Sequence, residues 1–246
     1  MSREAVYHAV ILKKQAYGDA DEIVTFYTLE AGRVRGLAKS IKLPQSKLQN
    51  ALQGLFYVRV ALAQGSRFGA GSLRKVIRCE VLDTFMPLRA SLESAKAGLF
   101  AAEAVYKSTA DEQKNPRLFK LLLEFLRNLS SLSGKNDCLP GLLAKFQISL
   151  LETLGFGIHA PGEPLEKSAL LYFTSLGGGF SFFADEPDCV KVDMKLRKIF
   201  LALQKADFRE ASEFKPREAT SLNQLLGGFL EYQLERRLHS RRLFTG

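Results

Sequence analysis

The residue types in this chain that support catalysis or metal binding are few. His8, His159 and His239 stand far apart with no metal-ligand spacing, and Cys79, Cys138 and Cys189 are an odd number with no C-x-x-C pair. Neither a zinc site nor a disulfide framework is indicated, and the three thiols read as ordinary side chains. Asp19, Asp21 and Glu22 form a small acidic cluster of the kind that holds a divalent ion, yet they sit where a turn between two strands already calls for Asp and Gly. Gly177-Gly178-Gly179 lacks the Lys and Ser/Thr of a phosphate-binding loop and reads as a turn. The residues point to no enzyme, no cofactor and no metal.

Cations have the more informative spacing. In Gly32-Arg33-Val34-Arg35-Gly36-Leu37-Ala38-Lys39, followed by Lys42 and Lys47, the basic residues alternate with or follow apolar ones. Successive side chains of a strand point to opposite faces, so the cations line one face while apolar residues enter a core. A row of cations suits a polyanion. The solvated side of a half-buried antiparallel strand fits these eight residues equally well.

Charge distribution favours the polyanion. The chain of 246 residues carries a formal net charge of +9, and residues 1–80 hold 13 Lys and Arg against 6 Asp and Glu. The remainder holds 22 against 20. Such a field attracts nucleic acid, an anionic membrane or an acidic protein. With 46% apolar and 25% charged residues the composition is that of a globular protein with a real core. No apolar run reaches the roughly 18 residues of a membrane span, and Met1-Ser2-Arg3-Glu4 lacks signal-peptide character, so the expectation is a cytosolic protein with no membrane partner.

The elements that must position these cations follow from periodicity. Residues 5–14, 21–29, 33–39, 55–62 and 73–82 are rich in β-branched and aromatic residues and are separated by turns. Five short strands favour a small closed barrel, because closure removes exposed edges. From Pro87 the period changes to three and four. The stripes are Leu88, Leu92, Ala95, Leu99, Ala102, Tyr106, then Leu118 to Leu129, then Leu143 to Leu154, with further helices at about 190–206 and 216–239. An irregular or hairpin insert occupies 158–188. The expected fold class is α+β, with a barrel domain at 1–82 and a helical domain at 83–246.

A five-stranded barrel with a basic face is a common support for single-stranded nucleic acid. The candidate phosphate contacts are Arg33, Arg35, Lys39, Lys42 and Lys47, extended by Arg59, Arg74 and Lys75. Tyr17, Tyr27 and Phe68 are candidate stacking platforms if exposed, and Arg236 to Arg242 form a second basic cluster at a helix end.

With these parts in place, the chain resembles the RecO family of bacterial recombination mediators. The resemblance rests on Ala9-Val10-Ile11-Leu12-Lys13, Tyr17-Gly18-Asp19-Ala20-Asp21, Phe26-Tyr27-Thr28, Gly32-Arg33-Val34-Arg35, Ala38-Lys39 and Ser46-Lys47-Leu48 with Ala51-Leu52-Gln53. Lys145-Phe146, Leu150-Leu151, Leu154-Gly155-Phe156-Gly157 and Ser240-Arg241-Arg242-Leu243-Phe244 continue it towards the other end. It implies an N-terminal OB-fold and a helical domain that in many members carries a four-cysteine zinc module. Here only Cys189 falls between Gly157 and Lys191, so the resemblance is to the zinc-free branch. Ser40-Ile41-Lys42-Leu43 also departs from the family's Gly and denser basic run.

The resemblance further implies binding of single- and double-stranded DNA and annealing of complementary strands. It implies loading of RecA on DNA coated by single-stranded DNA-binding protein, partnership with RecR, and a nucleoid-associated place in a bacterial cytoplasm. Lys145 and Phe146 match the site that takes the coating protein's acidic C-terminal tail. An RNA-binding OB module and a protein-interaction adaptor without DNA binding are the alternatives.

Overall fold

A computed structural model of the chain describes residues 3–64, 73–132, 136–163, 170–214 and 216–244. Five strands close into a barrel: β1 (Arg3–Tyr17), β2 (Asp21–Thr28), β3 (Gly32–Ala38), β4 (Tyr57–Gln64) and β5 (Arg74–Asp83), in the order β1-β2-β3-β5-β4. The long first strand makes closure possible. Its first half pairs with β4 from Arg3↔Gln64 to Val10↔Tyr57, and its second half pairs with β2 from Ala9↔Thr28 to Tyr17↔Asp21. A register shift between Ile11 and Lys13 bends it where it passes from one partner to the other. The short parallel pair of β3 with β5, at Gly36↔Arg74 and Leu37↔Lys75, completes the ring. This is the OB-fold architecture, and the strands lie within a few residues of the β-branched and aromatic runs that marked them.

Alternation also decides what fills the barrel. Val24, Phe26, Val34, Ala38, Val58, Val60, Leu62 and Val76 point inward with Ala9 and Ile11. Ile41, Leu52 and Phe56 of the connection between β3 and β4 join the same core. That connection is therefore anchored through apolar side chains although its backbone forms neither helix nor strand. Leu37, expected in the core, lies half-buried on the outer face with Arg33 and Arg35.

The helices are α1 (Leu92–Ser108), α2 (Pro116–Ser131), α3 (Leu139–Leu154), α4 (Met194–Lys205), α5 (Phe208–Ala211) and α6 (Pro216–Leu234). The buried face of α1 differs from the expected stripe. Ala97, Phe100, Ala101, Ala104 and Val105 are buried, whereas Leu92 and Leu99 are exposed. In so alanine-rich a helix several phases of the three-and-four spacing fit equally, and Phe100 marks the one that packs.

The chain divides into two compact units. One is Met1–Arg89 with Gly98–Ser130, and the other is Ala90–Ala97 with Ser131–Gly246. The change of period at 82 to 87 marks where strand gives way to helix, whereas α2 and most of α1 group with the barrel.

In the second unit α3 packs on α6, α4 and α5. A three-stranded sheet, β6 (Leu171–Thr174), β7 (Gly179–Ser181) and β8 (Val190–Val192), lies in the order β7-β6-β8. Residues 190–192, expected as helix, pair with β6, and Asp193 caps α4 by accepting from Lys195 N at 2.8 Å. Phe173 packs edge-on to Phe180 at 5.2 Å and to Phe229 at 5.7 Å, tying the sheet to α6. No helix among the described residues is long and apolar enough to cross a membrane.

Candidate nucleic-acid interface

The outer face of the barrel is read off the strand registers. One row runs Lys13, Thr25, Arg35 across β1, β2 and β3, and the next runs Gln15, Ile23, Leu37, Lys75 across β1, β2, β3 and β5. Adjacent strands lie about 4.8 Å apart, which puts the Lys13 and Arg35 backbones roughly 10 Å from each other. Ile23 and Leu37 are half-buried and form an apolar floor between exposed Lys13, Arg35 and Lys75. At one end of the floor stand exposed Lys39 and Lys42, with Tyr17 51% exposed. Lys42 Nζ donates to the Gly18 and Asp19 carbonyls at 3.4 and 3.3 Å, which draws it toward the turn between β1 and β2. The face thus offers spaced cations around a small apolar platform with an exposed phenol beside it.

The expected basic row is only partly exposed. Arg33 and Arg74 are bound to carboxylates from the connection between α1 and α2, and are corrections to the expected set of phosphate contacts. Arg33 Nε donates to Asp111 Oδ1 at 2.6 Å and its Nη1 to the Tyr106 carbonyl at 2.6 Å, with the guanidinium over the Tyr106 ring. Arg74, its side chain 9% exposed, donates to Glu112 Oε1 at 2.5 Å and to the Tyr7 hydroxyl at 2.6 Å. A guanidinium taken out of water needs such partners, and these two find them in the protein.

The backbone explains why the acidic pair arrives there. Glu112 N donates to the Arg33 carbonyl at 2.8 Å and Asp111 bridges to Arg33, so the segment lies along the start of β3. Gly32, at φ +70°, permits the approach: a Cβ there would stand 2.0 Å from the Gln113 carbonyl oxygen. Asp111 Oδ2 also lies 3.2 Å from Arg35 Nη2, whose side chain remains 45% exposed.

The other expected contacts are dispersed. Lys47 is exposed on the connection between β3 and β4. Arg59 lies on β4 opposite Glu80 and pairs with it at 3.0 Å. Glu80 is five residues along β5 from Lys75, roughly 16 Å at strand rise, so Arg59 does not join the cluster. Tyr27 is fully buried against Phe119 of α2 and is withdrawn as a stacking platform. Its hydroxyl has no hydrogen-bond partner among the described residues, and burial pushes the phenol pKa up. Phe68 lies outside the described residues.

In the helical unit Phe146 is a core side chain with no exposed surface, which corrects its assignment as a peptide contact. It points to the packed side of α3, while half-buried Lys145 donates to the Gln204 carbonyl at 3.0 Å, near the C-terminus of α4. A shallow groove beside this end of α4 is lined by Ile199, Ala202, Lys205, Glu210, Glu213 and Phe214. Arg241 of the C-terminal basic cluster is held by the Glu231 carboxylate and the Gln224 carbonyl.

Sequence reasoning missed Lys13 and the pair Asp111-Glu112. The alternation that found Arg35 also puts Lys13 on the outer face once the shift after Ile11 is known. An acidic dipeptide in a short connection between helices gives no sign of its destination.

The fold and this face define a class: an OB-fold barrel with an exposed basic surface, joined to a helical domain. The chain matches the family model described as Recombination protein O N terminal over residues 1–85 and that described as Recombination protein O C terminal over 89–242. It belongs to the Recombination protein O, or RecO, family. The DNA repair protein RecO of Pelotomaculum thermopropionicum is 29% identical over 247 residues, covering 94% of this chain and 90% of that protein. That of a Roseiflexus species is 28% identical over 250 residues, covering 95% and 83%. That of Dehalococcoides mccartyi is 32% identical over 148 residues, covering 60% of this chain and 55% of that protein, little more than half its length.

Proposed function

We propose that this chain is a non-enzymatic mediator of recombinational DNA repair that binds single- and double-stranded DNA through the outer face of its barrel and anneals complementary strands. The observation that carries the reading is the grouping of Lys13, Arg35, Lys39, Lys42 and Lys75 around Ile23 and Leu37 on an OB barrel. Annealing is opposed by repulsion between phosphates. Cations that replace condensed counterions lower that repulsion without making or breaking a covalent bond. The apolar floor and Tyr17 give unstacked bases a surface to lie on.

Membership of the family supports the finer parts of the reading. The coating protein's acidic tail would bind beside Lys145 and Lys205, with Ile199, Ala202 and Phe214 receiving its apolar side chains. Partnership with RecR and loading of RecA on coated DNA complete the role, and its place is the bacterial cytoplasm, on the nucleoid.

Charge reversal at Arg35 together with Lys39 tests the barrel face. Binding and annealing of complementary oligonucleotides should weaken steeply, and wild-type affinity for single strands should fall with a log–log salt slope of roughly −3. Binding and annealing that survive the reversal unchanged reject the face. Annealing of coated strands, with and without free tail peptide, tests the helical unit.

A further inference from the structure

We propose that Asp111 is a built-in competitor for phosphate at Arg35. Its carboxylate contacts the Arg35 guanidinium in the free protein and gives it up to nucleic acid, so this side chain lowers both the affinity of the barrel face and the salt dependence that Arg35 contributes to it. The inference rests on the reading of that face as a nucleic-acid interface.

The two oxygens of Asp111 are divided between two arginines on unequal terms. Oδ1 accepts from Arg33 Nε at 2.6 Å, while Oδ2 lies 3.2 Å from Arg35 Nη2. The Arg33 side chain is only 16% exposed and has a second acceptor in the Tyr106 carbonyl and a ring beneath it. Its guanidinium is engaged by these groups and leaves little surface for an external anion. Arg35 is 45% exposed and stands in the row with Thr25 and Lys13, where a phosphate reaches it from solvent.

The carboxylate is delivered by fixed backbone. The bridge between Arg33 and Asp111, the hydrogen bond from Glu112 N to the Arg33 carbonyl and the close approach over Gly32 hold the segment on β3. Glu112 adopts φ +59°, a left-handed conformation that a non-glycine residue keeps only when its surroundings impose it. Asp111 therefore cannot follow Arg35 outward.

Two consequences follow from charge. A fixed carboxylate beside Arg35 repels an incoming phosphate and makes contact an exchange of one anion for another. After the exchange Arg33 still neutralises Asp111, which keeps the exchange inexpensive. The residual negative charge nevertheless holds back part of the counterion release that an Arg–phosphate contact otherwise gives.

Asp111→Asn in the full chain tests this, because the amide keeps an oxygen for Arg33 Nε and removes the charge. Binding of a labelled oligo(dT) is followed by fluorescence anisotropy over a salt series. Expected are about 3- to 10-fold tighter binding at low salt and a slope steeper by up to about one. The gain should vanish in an Arg35→Gln background. If Arg35→Gln weakens binding while Asp111→Asn leaves it unchanged or weaker, the competitor is rejected and the interface stands. If the wild type shows no salt-dependent binding, the interface itself fails and the competitor with it. Should Asp111→Asn not fold, side-chain Nε–H resonances of the wild type decide: with oligo(dT) the Arg35 signal should shift and the Arg33 signal stay. An unmoved Arg35 signal overturns the proposal.

Discussion

Glu112 Oε1 lies 2.5 Å from Arg74 Nη2, joining the connection between α1 and α2 to the first residue of β5. Arg74 is buried and also donates to the Tyr7 hydroxyl at 2.6 Å. Removing one member of such a pair leaves the other desolvated and uncompensated. Arg74→Met should cost on the order of 3 kcal/mol in urea denaturation. Combining it with Glu112→Gly should recover part of the loss, since glycine removes the orphaned carboxylate and adopts φ +59° without strain. DNA affinity of the folded double variant should stay within about twofold of wild type, because neither side chain faces a phosphate.

Gly32 is a second place where the helices constrain the barrel. A Cβ there meets the Gln113 carbonyl oxygen at 2.0 Å and the Gln113 carbonyl carbon at 2.5 Å, both backbone atoms that no rotamer change moves aside. The residue is also left-handed, at φ +70°. Gly32→Ala should destabilise the chain by about 2–4 kcal/mol. Thermal unfolding measures this, and a loss below 1 kcal/mol would show that residues 111–114 lift off at little cost.

These two positions show what the sequence made legible and what it did not. The barrel was readable because β-branched and aromatic runs bounded by turns mark the strands, and alternation in Val34–Ala38 reports an inside and an outside. Alternation does not report what covers the outside. Arg33 and Arg35 have the same sequence signature, yet Arg33 is engaged by Tyr106 and by Asp111, the latter 78 residues away in the chain, while Arg35 keeps much of its surface. Phe146 failed for a similar reason, since adjacency to Lys145 in sequence is divergence on a helix: one side chain packs into the core and its neighbour points away. The strand Val190–Val192 reads as part of the helix after it, because its pairing with Leu171–Phe173 leaves no mark in its own three residues.

One carboxylate holds the turn that leaves β6. Asp188 Oδ1 accepts from Thr174 Oγ1 at 2.5 Å, and Oδ2 accepts from Ser175 N and Leu176 N at 2.7 and 3.1 Å. The Thr174 hydroxyl, then these amides, favour the ionised form and hold the Asp188 pKa below its ordinary value. A depressed pKa contributes stability that is present above the unfolded value of about 3.9 and is lost as pH falls through the folded one. Hydrogen-exchange protection of Ser175 and Leu176 should therefore drop below about pH 4. Asp188→Asn should show that drop at neutral pH, and equal protection at pH 6 and pH 3 would contradict the account.

Cys79 acts at the other end of the pH scale. It packs against the barrel core, and burial pushes its thiol up to about 12. The folded protein then keeps a proton that the unfolded chain releases from about pH 8.5, so this contribution to stability is full below that pH and declines as pH rises towards 12. The thiolate is the nucleophile, so native protein treated with iodoacetamide at pH 8 should remain unmodified at Cys79. Peptide mapping should find the same residue alkylated after denaturation.

The dispersal of the expected cations separates the proposed face from a general effect of net charge. Lys13 and Lys75 flank Ile23 and Leu37, whereas Arg59 stands opposite Glu80 and pairs with it at 3.0 Å. Charge reversal changes the net charge by the same amount at each site. A long-range field would make Lys13→Glu, Lys75→Glu and Arg59→Glu equally harmful to binding, more so at low salt. A localised face makes them unequal, because contacts within a Debye length of about 8 Å dominate at physiological ionic strength. Lys13→Glu and Lys75→Glu should each weaken oligonucleotide binding about tenfold at that salt and lower the slope by about one, with Arg59→Glu within about threefold of wild type. Equal losses from all three would dissolve the face into the overall charge of the barrel.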